Sequence, residues 1–234
     1  MINILVTRPK EDSINFAKNI GDEYNVISSP TMNISKINYT DKDLSQYEAL
    51  IFTSKRAAKF YQNKNIINKK IFAVGKKTAQ TLKHYGCNNV EHTNGDAKDL
   101  CNLISSYQYQ NKKLLHIRGE DIAYDINANL SYNNIIVDPL IIYKTTEILE
   151  LTPCIINKFK NRELKFITLY SPKSAHIFTK LIKKYNLNNY LNSIKCLCFS
   201  DMVLNSVKDL NWESTHIPEK YEEESIYKLV RDLS

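Results

Sequence analysis

Apolar runs in this 234-residue chain stop repeatedly at a hydroxyl, a glycine or an arginine. NILVT ends at Arg8, ALIF at Thr53-Ser54, and KIFAV at Gly75 with Thr78 three residues on. KLLHI ends at Arg118-Gly119, FITLY at Ser171, and CLCF at Ser200-Asp201. Each run has the length and composition of a buried strand, and each stop opens a turn or a helix. In open parallel sheets, ligands sit outside the carboxyl ends of the strands. A helix start there offers free backbone N–H groups and a partial positive charge, so it binds carboxylates or phosphates without a cationic side chain. Taken singly, each Ser or Thr suffices as an N-cap. Taken together, with Arg56 close behind Ser54, they suit a ligand with many anionic arms. The candidate binding set is Arg8, Thr53, Ser54, Arg56, Gly75, Thr78, Arg118, Gly119, Ser171 and Ser200. Tyr143, at the end of the apolar run from residue 135, is the candidate acid, because a phenol in a water-poor site can donate a proton to a leaving hydroxyl.

Other chemistries lack their residues. Gly75-Lys76-Lys77-Thr78 has no upstream glycine of the phosphate-loop pattern, and no G-x-G-x-x-G occurs. The five His (84, 92, 116, 176, 216) have no zinc spacing; His84 and His176 read as helix surface and His116 as a strand residue. The five Cys follow no disulfide or metal framework, and Cys196 and Cys198 share a strand face as core thiols. Glu222 to Glu224 precede the last helix, where they complement its dipole.

The elements that must position these residues are strands alternating with helices of about ten residues, the pattern of parallel α/β units. The pattern predicts helices over 55–62, 97–105 with Asp96 as N-cap, 174–184 and 202–210. It also predicts a helix directly after Arg118-Gly119 and a strand over 135–143 interrupted at Asp138-Pro139. The order repeats. ALIFTSKRAAKFY (49–61) matches FITLYSPKSAHIF (166–178), and the stretch from Ile71 matches that from Cys196. NILVTRP and NVISSP at the start have their counterparts in KLLHIRG and NIIVDP, which lie after the central block instead of before it. The simplest topology is a discontinuous first domain, 1–34 with 147–234, and an inserted, permuted copy over 36–143. The chain crosses between them near 32–37 and 143–147, forming a hinge beside a ligand cleft. The competing topology is one continuous doubly wound sheet.

Thirty-two Lys and Arg against 25 Asp and Glu give +7, and the basic residues are spread along the chain. That favours an anionic small molecule and no nucleic-acid stripe. The first apolar run is too short for a signal or a membrane span. The expectation is a cytoplasmic monomer that neither enters a membrane nor binds nucleic acid.

ILVTRP, IFTSKRAA, VGKKTAQTLKHYGC, the RG of HIRGE, IIYKT and LYSPKSAHIF, in that order, resemble the uroporphyrinogen-III synthase family over the whole chain. The resemblance implies two similar flavodoxin-like α/β domains, the first discontinuous, joined by a two-strand linker. It implies a lyase of haem biosynthesis that cyclises hydroxymethylbilane, inverting the last pyrrole ring, with no metal or organic cofactor. The substrate is a polycarboxylate linear tetrapyrrole, with hydroxymethylbilane synthase as its donor. By motif, Ser54, Thr78 and Ser171 are binding positions and Tyr143 the acid. One departure stands out: where the family has Gly-x-x-[Thr/Ser], this chain has Ser200-Asp201-Met202-Val203. The competing function is a non-catalytic two-domain binder of an anionic ligand.

Overall fold

The computed structural model describes residues 1–234. In chain order the elements are β1 (Ile2–Val6), α1 (Lys10–Ile20), β2 (Tyr24–Ser28), β3 (Met32–Lys36), β4 (Ala49–Phe52), α2 (Lys55–Phe60) and β5 (Lys70–Val74). There follow α3 (Lys76–His84), β6 (Val90–Thr93), α4 (Ala97–Ser105), β7 (Lys113–Gly119), α5 (Ile126–Ser131) and β8 (Ile136–Glu147). The remainder is α6 (Pro153–Lys160), β9 (Phe166–Leu169), α7 (Pro172–Lys184), β10 (Lys195–Cys198), α8 (Asp201–Asn205), β11 (Ser214–His216) and α9 (Glu223–Leu233). By contacts the chain divides into two compact units, residues 1–33 with 146–234 and residues 34–145. No helix is long and apolar enough to cross a membrane.

The sheet of the first unit runs β11-β10-β9-β1-β2, and the other sheet runs β3-β8-β7-β4-β5-β6. Every pair from β4 to β8, like every pair in the first sheet, is parallel. Laid side by side, β2-β1-β9-β10-β11 corresponds to β8-β7-β4-β5-β6, which is the permuted repeat legible in the sequence. Strict alternation then gives each sheet a core on both faces. Leu50 and Phe52 enter one layer of the second sheet while Ala49 and Ile51 enter the other. In the first sheet Leu5 faces one layer, and Ile4 and Val6 the other.

Local chemistry fixes the helix starts. Asp96 accepts from the N–H groups of Lys98 and Asp99, while the Asp99 carboxylate accepts from the Asp96 N–H, a reciprocal capping box. Thr152 and Ser171 cap α6 and α7, each followed by a proline whose missing N–H is no loss at that position.

Three elements differ from the pattern. The strand expected to break at Asp138-Pro139 runs on through both, with Pro139 opposite His116; a strand accepts proline where its nitrogen faces away from the neighbouring ladder. The helix expected directly after Arg118-Gly119 begins only at Ile126, where Asp125 supplies the cap. The helix expected over 202–210 ends at Asn205. Beyond it the indole N–H of Trp212 donates to the Val207 carbonyl at 3.0 Å, an alternative partner to a continued helix.

Trp212 is the sole tryptophan, and it stacks on the buried ring of Phe178 with centroids 5.9 Å apart. Its fluorescence therefore reports on the first unit. Phe178→Ala should lower that unit's unfolding free energy by about 3–5 kcal/mol, the usual range for emptying a buried aromatic site. Urea titration followed by tryptophan emission reads it, and an unmoved midpoint would contradict this packing.

A candidate active site at the crossover of the second sheet

β4 and β7 lie side by side, yet the chain leaves them in opposite directions, from β4 to β5 and from β7 to β8. Such a reversal of strand order leaves an opening at the carboxyl ends of the two central strands. The register pairs Phe52 with Ile117, so Thr53 and Arg118 emerge next to each other. Around them lies a cavity of about 290 Å³ lined by Thr53, Ser54, His116, Arg118, Tyr143 and the acids Asp96 and Asp121, with Gly119, Tyr124 and several apolar side chains.

Ser54 does two things there. Its Oγ accepts from the Ala57 N–H at 3.0 Å, capping α2, and lies 3.1 Å from the phenolic oxygen of Tyr143. The Tyr143 ring is held edge-on by Phe60, 5.8 Å between centroids. On its other side stands Gly119, where a Cβ would come within 2.6 Å of the ring. Glycine is needed here for close approach. Arg118 donates from Nη1 to the carbonyls of Gly119 at 2.7 Å and Glu120 at 2.9 Å, which pins the loop after β7.

Sequence reasoning left His116 as an ordinary strand residue. It is buried, lines the cavity, and its Nε2 lies 3.1 Å from Thr53 Oγ1. Burial, then the charge of Arg118, push its pKa down to about 4 against a partial offset from Asp125. The imidazole is therefore neutral at ordinary pH and orders the Thr53 hydroxyl without adding charge. The signal was available: His116 stands two residues before Arg118 and so shares its strand face. Asp96 was read only as a cap, and it also lines the cavity.

Three expected binding residues of the second unit stand apart from this cavity. Thr78 is buried on the inward stripe of α3 with Ala79 and Leu82, because three residues past Gly75 the helix has turned toward the core. Gly75 caps α3 at φ +77° and its N–H is engaged by the Thr93 carbonyl. Arg56 is half-buried on α2 and outside the lining.

The first unit has the matching crossover between β1 and β9, but its chemistry differs. Arg8 donates to Glu223 Oε1 at 2.7 Å, lies 3.6 Å from Asp12, and stacks over Tyr170 at 4.5 Å. Burial lowers its pKa while Asp12 and Glu223 raise it, and the carboxylates prevail. Two carboxylates of the same unit thus already hold the cation expected to meet an anionic ligand. The acidic run that opens α9 also does more than complement a helix dipole. Ser171 Oγ accepts from the Ser174 N–H at 3.1 Å. Ser200 precedes α8 without a side-chain cap bond, and Val203, where the resemblance leads one to expect a hydroxyl, is wholly buried.

A family model described as uroporphyrinogen-III synthase HemD matches residues 18–228. The porphyrin biosynthesis protein HemD of Ruminiclostridium josui is 27% identical over 225 residues, covering 89% of this chain and 44% of its own length. This chain therefore spans less than half of that relative. The uroporphyrinogen-III synthase of Chlorobaculum parvum is 22% identical over 248 residues, 99% of each chain. Among solved structures, uroporphyrinogen-III synthetase of Helicobacter pylori superposes over the whole of both chains with a TM-score of 0.64 at 17% identity. A mutant uroporphyrinogen III synthase of Thermus thermophilus gives 0.55 at 13%, covering 100% of this chain and 99% of that one. The last two likenesses are of fold.

The state of His116 sets a pH dependence. Its folded pKa of about 4 lies below the ordinary 6.5, so between these values the unfolded chain binds more protons. The contribution is complete above pH 6.5 and is lost as pH falls toward 4, roughly 3 kcal/mol in all. Denaturation of the wild type and of His116→Phe at several pH values tests this. The variant should lose the slope between pH 6.5 and 4, and parallel slopes would remove His116 as its source.

Proposed function

This chain belongs to the uroporphyrinogen-III synthase family, and from that membership we propose that it cyclises hydroxymethylbilane to uroporphyrinogen III. In this reading Tyr143 protonates the terminal hydroxyl, which departs as water and leaves an azafulvene. The substituted carbon of the last pyrrole attacks it, forming a C–C bond and a spiro intermediate. The older bond to that ring breaks, the ring re-closes inverted, and a proton leaves carbon to restore the pyrrole. The phenolate regains a proton from solvent. Hydroxymethylbilane synthase supplies the substrate.

One observation carries the proposal: the phenol of Tyr143 stands 3.1 Å from Ser54 Oγ at the rim of the cavity, with its ring seated on Gly119. Ser54 is fixed by the Ala57 N–H and can donate to the tyrosine oxygen as its proton leaves. Thr53, with His116 behind it, and Arg118, with its loop, offer groups for the carboxylate arms on the second unit. Ser171 is the corresponding hydroxyl of the first. Positioning of a flexible substrate supplies most of the rate in such a site. Non-catalytic binding is the weaker reading, since the relatives that match are named for the synthase or its pathway.

Freshly generated hydroxymethylbilane, incubated with the protein and resolved into product isomers, tests the reading. The type III isomer should form faster than the spontaneous type I; type I alone at the spontaneous rate would refute it. Tyr143→Phe should slow turnover by about tenfold to a hundredfold, the lower range for a general acid. Gly119→Ala should slow it too, since a Cβ at 2.6 Å must push the ring away from Ser54. Full activity in either variant would remove the phenol from the proton transfer.

A further inference from the structure

The net charge of +7 is not shared evenly. The second unit carries 16 Lys and Arg against 10 Asp and Glu, while the first carries 16 against 15. Within the second unit the excess is concentrated further. Residues 49–90 contain nine Lys and Arg and no acidic residue at all. The basic residues are therefore not evenly spread along the chain, contrary to the first reading of the sequence.

The fold gathers part of that segment into a groove. Helices α2 and α3 follow successive strands of one sheet, β4 and β5, and pack against each other. Lys55 and Lys59 stand one helical turn apart on α2; Lys77, Thr81 and His84 follow the i, i+4, i+7 stripe of α3. With Tyr85 they line an open concavity of about 470 Å³. The stripe from Lys77 to His84 is roughly 10 Å long at the helical rise, enough to meet more than one carboxylate at once. The groove shares no lining residue with the cavity at Tyr143, yet begins beside it, since Lys55 directly follows Ser54. Lys55, Lys77 and His84 are exposed, and the 42 residues from 49 to 90, which supply the whole groove, contain no acid.

We propose that the α2–α3 groove is a capture site for polycarboxylates, which engages the arms of the substrate before they enter the cavity. This rests on the function proposed above and adds a place to it. Exposed Lys55 and Lys77 on the two neighbouring helices carry one sign of charge and raise the local concentration of an anionic ligand, an effect that salt screens. The groove does not take part in bond breaking, so it should influence capture and leave the chemical step alone.

The test compares Lys55→Gln/Lys77→Gln with Lys208→Gln/Lys220→Gln, which removes the same charge from exposed positions of the first unit. With hydroxymethylbilane the groove variant should show KM raised roughly threefold to tenfold at low salt with kcat unchanged. Its KM should also depend less steeply on ionic strength, and the control should match the wild type. Equal KM in groove variant and wild type, or an equal rise in the control, would overturn the proposal. Binding of uroporphyrin I, an octacarboxylate that needs no turnover, gives a second reading by fluorescence quenching. Weaker uroporphyrin I binding in the groove variant alone would support capture even if the wild type made only the type I isomer, a result that would refute the synthase reading separately.

Discussion

The parallel pairing of β4 with β7 is the constraint from which the candidate site follows. A parallel pair cannot be closed by a tight turn, so each strand must hand the chain to a crossover that covers a face of the sheet. β4 passes it toward β5 and β7 toward β8, and nothing fills the gap where the two paths part. The register then determines which side chains border that gap. Phe52 opposite Ile117 puts Thr53 beside Arg118, and Ile51 opposite His116 puts the imidazole within reach of the Thr53 hydroxyl. A slip of one residue would turn all of these to the other face. The buried alternation of Leu50 and Phe52 against Ala49 and Ile51 is what forbids the slip, so the two cores of the sheet hold the site in register.

Much of this was legible in the residues. Apolar runs of four or five announced the buried strands, and the Asp96 cap could be placed to the residue because its chemistry is local. The permuted repeat was visible because matched segments keep their order even when the chain enters the fold at a different strand. What escaped depends on neighbours far along the chain. Pro139 reads as a strand breaker until the pairing shows the strand continuing through it opposite His116. Thr78 reads as a ligand-binding hydroxyl because spacing from Gly75 says nothing about which side of α3 meets the core. His116 looked inert because its significance lies in Thr53, 63 positions away, and in the desolvation that keeps it neutral.

The two crossovers also show how one topology holds different chemistry. In the second unit Arg118 bonds to its own loop carbonyls, and the acid at the start of α4, Asp96, is engaged in a capping box. In the first unit Glu222, at the N-cap of α9, makes no side-chain cap bond, and the neighbouring Glu223 reaches across to Arg8. A ligand carboxylate arriving at Arg8 would have to displace one already bound at 2.7 Å, whereas none is bonded to Arg118. The net charge runs the same way, with the basic excess carried by the second unit. The sequence departure at Ser200–Val203 therefore has company: Val203 is core, Arg8 is occupied, and both lie in the first unit. For a ligand with many carboxylates, affinity follows the groups that are open to it. By that measure the Ser54 and Arg118 crossover keeps its arginine free of carboxylates and the Arg8 crossover does not, although the strands that build both are arranged alike.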